Sequence, residues 1–232
     1  MAVLLLNDYP VIDCEIKMAR VGVWSAQAVV DSREDISNIG IFSSDNTDFK
    51  LIGRIERHGL YLDTVKVHII GGIGDLDKEI VPRQYRGYTL KNVLTDILQD
   101  CGCVLSKTSD PALLGKFVTN WVRLGGSGKE ALNILLDYFG ATAWRFLPDG
   151  SFYCAITESY PPAPQVDFQV PDHDYSFNAS LTLSEGLNFL PGQLFTFPGD
   201  VEKGSGPATR KISSITHKVN SSVVSSYLVF ED

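Results

Sequence analysis

"SGKEALNILLDYFGATAWRF", residues 127–146, carries a helix start, an amphipathic middle, a stop and a strand in one short stretch. Ser127 and Glu130 have the spacing of a capping box, in which hydroxyl and carboxylate each satisfy a backbone N–H left over at a helix start. Ala131, Leu132, Leu135, Leu136 and Phe139 follow at helical period, Gly140 stops the helix, and "ATAWRF" reads as a strand. "TLKNVLTDILQDCG" (89–102) repeats the plan. Its apolar residues, Leu90, Val93, Leu94, Ile97, Leu98 and Cys101, form a full helical stripe between an N-cap at Thr89 and a stop at Gly102. At an offset of 38 residues, Thr89 falls on Ser127, Val93 on Ala131, Leu94 on Leu132, Ile97 on Leu135, Leu98 on Leu136 and Gly102 on Gly140. The middle of the chain is therefore expected to be a small α+β module built on two similar helices. Asp110-Pro111 between the copies predicts a short helical turn. "LPDG" (147–150), between "ATAWRF" and "SFYCAIT", predicts a hairpin.

On both sides of this module the pattern is that of strands. In "LIGRIERHGLYLDTVKVHIIGG" (51–72), Val65, Val67 and Ile69 alternate with Lys66, His68 and Ile70, the period of a half-buried strand. Gly59 is the expected turn or bulge of the hairpin, and Gly71, Gly72 and Gly74 end it. Residues 30–49 are polar and turn-rich, and loops around one short strand are expected there. Towards the C-terminus, Pro191-Gly192 is a turn feeding a strand. "KISSITHKVNSSVVSSYLVFE" (211–231) is a hairpin turning near Asn220-Ser221-Ser222, with Val224, Leu228 and Phe230 on one face and Tyr227 and Val229 on the other. This hairpin echoes 51–69 at an offset of 160: Ile52 and Ile55 fall on Ile212 and Ile215, and Val67 and Ile69 on Tyr227 and Val229. Pro161, Pro162 and Pro164 make "ESYPPAPQVD" (158–167) an extended linker. The expected division is a β domain at 1–80, the α+β module at 81–160 and a second β domain at 161–232.

The composition is that of a globular protein: 232 residues, 44% hydrophobic and 21% charged. No apolar run reaches the length of a membrane span. The start "MAVLLLNDYP" lacks a basic flank, and its apolar run ends at Asn7-Asp8, so a first strand is expected there, in a protein made in a cytoplasm. The formal net charge of −8 divides into −5 over residues 1–80, +1 over 81–160 and −4 over 161–232. No basic cluster marks a nucleic-acid groove. The four cysteines, Cys14, Cys101, Cys103 and Cys154, contain no C-x-x-C pair, and reduced, buried thiols are expected.

Motifs of catalysis do not assemble. His68 and His217 lie on predicted strands as face residues, His58 sits in the hairpin connection, and "DHD" (172–174), which contains His173, follows the linker with no H-x-x-x-H partner. No G-x-S-x-G elbow is present. "GGSGK" (125–129) lacks phosphate-loop spacing, and Glu130 replaces the required hydroxyl. "IIGGIG" (69–74) follows a strand but opens no helix, so it is not a dinucleotide fingerprint. No catalytic, cofactor-binding or metal-binding residue is therefore assigned, and the chain is not expected to be an enzyme. The alternative is a β-type hydrolase or carbohydrate-binding module acting on cell-envelope polymers.

Four stretches in this order resemble the baseplate hub, or tail hub, proteins of tailed bacteriophages and the hub part of type VI secretion spike proteins. They are "GRIERHGLYLDTVKVHIIGG", "PRQYRGYTLKNVLTDILQDCG", "RLGGSGKEALNILLDYFGATAWRFLPDGSFY", and "LNFLPGQLFTF" followed by "ITHKVNSSVVSSYLVFE", and they cover most of residues 50–232. The resemblance implies a mainly β chain with an α+β insert, in which two tail-tube-like β-barrel domains flank the two-helix module. It implies a structural protein of the virion tail tip or baseplate. Three copies would form a ring with six-fold-like symmetry between the tail tube, or distal tail protein, and a central spike or fibre. Tape-measure protein and DNA would pass through the channel without specific binding. Like charge repels in such a channel, so part of the acidity of the β segments is expected to line it.

Overall fold

A computed structural model describes residues 4–34, 36, 38–44, 47–158, 163, 180–183, 187–197, 208–220 and 224–231. The prolines of the linker and the "DHD" stretch lie outside the described residues. The chain is mainly β with an α+β insert.

The N-terminal part forms β1 (Leu4–Leu6), β2 (Tyr9–Ala19), β3 (Val21–Gly22), β4 (Ser25–Asp31), β5 (Ile39–Ser44), β6 (Thr47–Tyr61) and β7 (Thr64–Gly71). Strand neighbours run β1-β5-β6-β7-β4-β2, and β1 also pairs with β2, so six strands close on themselves. Alternation explains the interior. Ala26, Ala28 and Val30 of β4 and Val65, Val67 and Ile69 of β7 are buried, while their neighbours along each strand face out. As expected, residues 30–49 hold one short strand, β5, between the end of β4 and the start of β6. The hairpin differs from expectation. β6 runs straight through Gly59, which pairs with Lys66, and the reversal falls at residues 62–63, where Tyr61 faces Thr64. The bulge lies between Ile55 and Arg57. Gly59 stays in the ladder because extended backbone needs no special residue there, whereas Leu62 takes the left-handed conformation at φ 54°.

The module comprises β8 (Glu79–Ile80), β9 (Arg83–Tyr85), β10 (Tyr88–Thr89), α1 (Leu90–Asp100), α2 (Pro111–Leu114), β11 (Phe117–Val118), β12 (Trp121–Arg123), β13 (Gly126–Ser127), α3 (Gly128–Tyr138), β14 (Ala143–Phe146) and β15 (Phe152–Ala155). The duplicated helices have duplicated ends. Thr89 caps Asn92 N–H, and Ser127 and Glu130 form the reciprocal capping box. Gly102 and Gly140 both take φ 71°. Behind them the N–H of Cys103 binds Leu98 O and that of Ala141 binds Leu136 O, closing a Schellman motif at each end. The copies diverge afterwards. β14 and β15 form the expected hairpin, but the stretch after α1 is reduced to a single bridge between Leu105 and Phe152. Asp110 caps α2, whose first residue is Pro111.

The C-terminal part contributes β16 (Ser180–Leu183), β17 (Leu194–Phe197), β18 (Ala208–Asn220) and β19 (Val224–Glu231). β18 continues the first sheet directly. Along one edge it pairs with β17 and then with β2, from Ser214↔Ala19 to Asn220↔Asp13; along the other it pairs with β19, which carries β16. β2 is thus shared between the closed barrel and the C-terminal sheet. In β19, Leu228 and Phe230 face the core and Tyr227 faces out, as expected. The echo with 51–69 therefore fails in its second strand. Val67 and Ile69 point into the barrel, whereas Tyr227 and Val229 occupy the outer face, because a one-residue difference of phase moves every side chain to the other side.

Candidate functional site, the three-way junction

One buried cluster spans all three parts of the chain and runs through the place where they meet. Three contacts build that meeting place. First, β3 pairs in parallel with β14, Val21↔Trp144 and Gly22↔Arg145, so a piece of the N-terminal part completes the module's sheet β15-β14-β3. Second, glycines at the end of the barrel accept aromatic rings. A Cβ on Gly72 (φ 90°) would meet Phe146 at 2.5 Å, and one on Gly53 would meet Trp24 at 2.6 Å. The Gly71-Gly72 pair that ends β7 is therefore the floor of a socket for Trp24 and Phe146 as well as a strand terminus. Third, an ionic network ties the parts together. Glu158, whose side chain is 1% exposed, binds Arg20 at 3.3 Å and also Arg145. Arg20 reaches Glu231 at 2.9 Å, and Glu231 holds Lys211 at 3.2 Å. Arg20 follows β2, Arg145 lies on β14, and Lys211 and Glu231 lie on β18 and β19. Gly192 (φ 89°) presses its backbone onto the Arg145–Glu158 pair, where a Cβ would stand 3.1 Å from Glu158 Oε1. The guanidinium of Arg145 also covers the Tyr153 ring at 4.9 Å.

A second network braces the module itself. Arg123 is fully buried, donates twice to Val81 O at 3.0 and 2.8 Å, and binds Asp100 at 2.7 Å. Asp96, one helical turn before Asp100, receives Arg83 and the Tyr85 hydroxyl, and Tyr85 stacks on Trp121. Burial pushes the Tyr85 phenol up, and its hydrogen bond to Asp96 adds to the shift. These contacts lock the β9–β12 ladder to α1.

The residues considered for chemistry are scattered. His68 lies on the outer face of β7 against Glu56 at 2.8 Å. His58 lies on β6, and His217 is buried on β18 with Nδ1 2.7 Å from Ser226 Oγ. Burial pulls the His217 pKa down to about 4, opposed in part by a hydrogen bond to the Phe189 backbone, so the ring is neutral near pH 7. All four thiols are buried and free. Burial raises each of them, Cys103 and Cys154 to about 12, which leaves no thiolate nucleophile. Ser127 and Glu130 are occupied in the capping box. Among the described residues no group of three His, Cys, Asp or Glu side chains could hold a metal ion. The charges of the barrel are not sorted by face. Lys17, Arg57 and Lys66 share the outer sheet surface with Asp13 and Glu15, and further carboxylates gather at the ends: Asp31, Glu34 and Asp63 near the β6–β7 turn, and Asp75, Asp77 and Glu79 near the module.

Solved structures of similar shape cover the whole arrangement. The tail protein from Neisseria meningitidis MC58 superposes with a TM-score of 0.68 at 13% identity, over 100% of this chain and 96% of that one. The chain has the fold of a phage tail protein. The 43 kDa tail protein of prophage MuSo2 from Shewanella oneidensis gives a TM-score of 0.67 at 10% identity, covering 99% and 97%. The E. coli c3393 protein is a type VI secretion component described as structurally similar to the T4 tail proteins gp27 and gp5. It gives 0.66 at 13% identity, covering 99% of this chain and 77% of that one. No protein-family model and no curated protein sequence matches. The junction residues escaped sequence reading because Arg20 and Glu158 are 138 positions apart and neither stands in a motif.

Proposed function

We propose that this chain is a structural hub of a bacteriophage tail tip or baseplate. Three copies form a ring of six-fold-like symmetry that joins the tail tube, or a distal tail protein, to a central spike or fibre. In this reading residues 1–80 and 161–232 supply the tube-like β units and residues 81–160 the bracket between them. The observation that carries the proposal is the agreement of the whole chain, barrel, module and C-terminal sheet together, with the fold of tail proteins. The junction supports it: buried ion pairs and ring-on-glycine contacts hold three units in one geometry, as a load-transmitting part requires. The scattered, neutral or already partnered His, Cys and Ser side chains favour a structural role over a hydrolase.

The ring leaves a channel through which tape-measure protein and DNA pass without specific binding. Its entrances carry the carboxylates gathered at the ends of the barrel, which repel a polyanion over the Debye length of about 8–10 Å. The protein is assembled in the host cytoplasm and resides in the virion tail. Cryo-electron microscopy of the intact particle tests the proposal. Three copies around the tail axis, next to the tube, are expected; six copies or a single copy would refute it.

A further inference from the structure

Where the end of the barrel meets the module, a cavity of about 150 Å³ opens. Trp24, Arg54 and Gly71 line it from the barrel, and Lys129 and Phe146 from the module. Two buried N–H donors in this lining, Trp24 Nε1 and Arg54 Nε, meet no acceptor among the described residues. Trp24 is 2% exposed, so open solvent does not satisfy its indole. The indole N–H is aimed at the cavity. Its edge of the ring lies on Gly71, where a Cβ would stand 2.4 Å from Nε1, whereas Cη2 at the other end lies on Gly53, outside the lining. Gly71 therefore leaves open an approach that a side chain would close. Nearly all buried polar groups in folded proteins are paired, because an unpaired one forfeits its hydration, so a cavity against two such donors is a place for an acceptor.

The lining also sets the charge of that acceptor. Arg54 Nη2 donates to Asp75 Oδ1 at 3.0 Å, and the same oxygen accepts the Asp77 N–H at 3.1 Å. This pair fixes the guanidinium and leaves its Nε for another oxygen. Lys129 brings a second cation, and its backbone N–H donates to Leu76 O at 2.8 Å, which fixes the first turn of α3 beside the cavity. Asp77 belongs to the lining too, but it is exposed and its charge is screened by water and salt. An indole N–H, a guanidinium N–H and an ammonium together suit a group with two acceptor oxygens and a negative charge. We propose that this cavity binds a small carboxylate, with Trp24 Nε1 and Arg54 Nε as its donors and Lys129 as a counter-charge. Ile70 and Phe146 supply an apolar wall for its carbon atoms. The volume admits a free carboxylate of the size of acetate, or the last residue of a chain that ends in a free carboxylate. The inference does not depend on the proposed tail position.

Nuclear magnetic resonance of the isotope-labelled full chain tests it. The chain has three tryptophans and hence three indole N–H peaks, and the one lost in Trp24→Phe belongs to Trp24. Acetate, acetamide and triglycine with a free C-terminus are titrated in turn at constant ionic strength set with chloride. Acetate should move the Trp24 peak to saturation and leave that of Trp121 in place. Acetamide, of the same shape without the charge, should bind about tenfold more weakly, and Arg54→Gln should weaken acetate binding by about tenfold or more. Lys129→Ala should weaken it by about threefold, since that charge is exposed. A surface substitution of this kind keeps the fold, so it carries the test even where Arg54→Gln unfolds the chain. Triglycine that binds as acetate does assigns the site to a chain terminus, and triglycine that is excluded assigns it to a free small carboxylate. A Trp24 peak that acetate leaves in place, or moves without saturation, overturns the site. Acetamide that binds as tightly as acetate overturns the carboxylate, and wild-type binding by both Arg54→Gln and Lys129→Ala overturns the assigned groups.

Discussion

Two seams join the parts of this chain, and they are made of different material. Between the barrel and the C-terminal sheet the seam is backbone: β2 and β18 pair over seven consecutive positions, from Ser214↔Ala19 to Asn220↔Asp13. Between the barrel and the module it is mostly side chain, with Phe146 on Gly72 and Glu158 between two arginines, and only two residue pairs of β3 and β14 in register. A backbone seam tolerates almost any side chain that keeps the alternation. A side-chain seam depends on a few residues of fixed size and charge. The module seam should therefore be sensitive to single substitutions, and the sheet seam to changes that reach the whole ladder.

The largest effect is expected at Gly72. Gly72→Ala places a methyl 2.5 Å from the Phe146 ring, on a backbone at φ 90°. Overpacking of about 1–3 kcal/mol adds to conformational strain of about 1–3 kcal/mol, for a loss of about 3–4 kcal/mol. Chemical denaturation would measure it. A loss below about 1 kcal/mol would mean that the ring moves freely and that the side-chain seam is soft.

The sheet seam is best probed through pH, because His217 sits within it opposite Ile16. Its folded pKa, about 4, lies below the ordinary value, so the unfolded chain takes up the proton first as pH falls. Stability from this residue is complete above about pH 6.5 and is lost progressively as pH falls towards 4, by about 3 kcal/mol in total. His217→Gln should flatten that part of the profile. If wild type and variant lose stability in parallel between pH 6.5 and 4, the buried ring is not the cause.

Glu158→Ala should cost about 3 kcal/mol. The lower end of the range for a broken buried pair applies, because Arg20 and Arg145 are 17% and 16% exposed and regain some hydration. Glu158→Gln, which keeps the shape, should cost less. Equal stability of wild type and the alanine variant would assign the module seam to ring packing alone.

What could be read beforehand divides along the same line. Local signals were legible: the capping box at Ser127 and Glu130, the paired glycine stops, the hairpin at residues 147–150, and the faces of Leu228, Phe230 and Tyr227. Each depends on neighbours within a few positions. The β2–β18 ladder and the Glu158 network were not, since residues more than a hundred positions apart meet there. Gly59 misled for a related reason. A glycine between two apolar runs fits a turn, yet the ladder of β6 with β7 continued past it and left the reversal to Leu62, which no propensity would select. The duplicated helix was visible because both copies need the same ends, whereas the strand after each copy depends on distant partners and so differed.

The smallest effect belongs to a residue in neither seam. Ser127 caps α3 within the module, its hydroxyl 3.2 Å from the Glu130 N–H while Glu130 Oε2 accepts the Ser127 N–H at 3.1 Å. Ser127→Ala leaves one N–H to water and removes half of the box, for about 1 kcal/mol. Thr89→Ala at the matching position of α1 should cost a similar amount or less, because the helix it caps has no reciprocal carboxylate: Asn92 occupies the place of Glu130. Hydrogen exchange can separate the two. The Ser127 variant should lose protection in the first turn of α3, and the Thr89 variant in that of α1, while protection across β2 and β18 stays unchanged. Loss of protection across that ladder from either cap would mean that the module and the sheets unfold as one unit, and that the difference between the seams does not divide the molecule's stability.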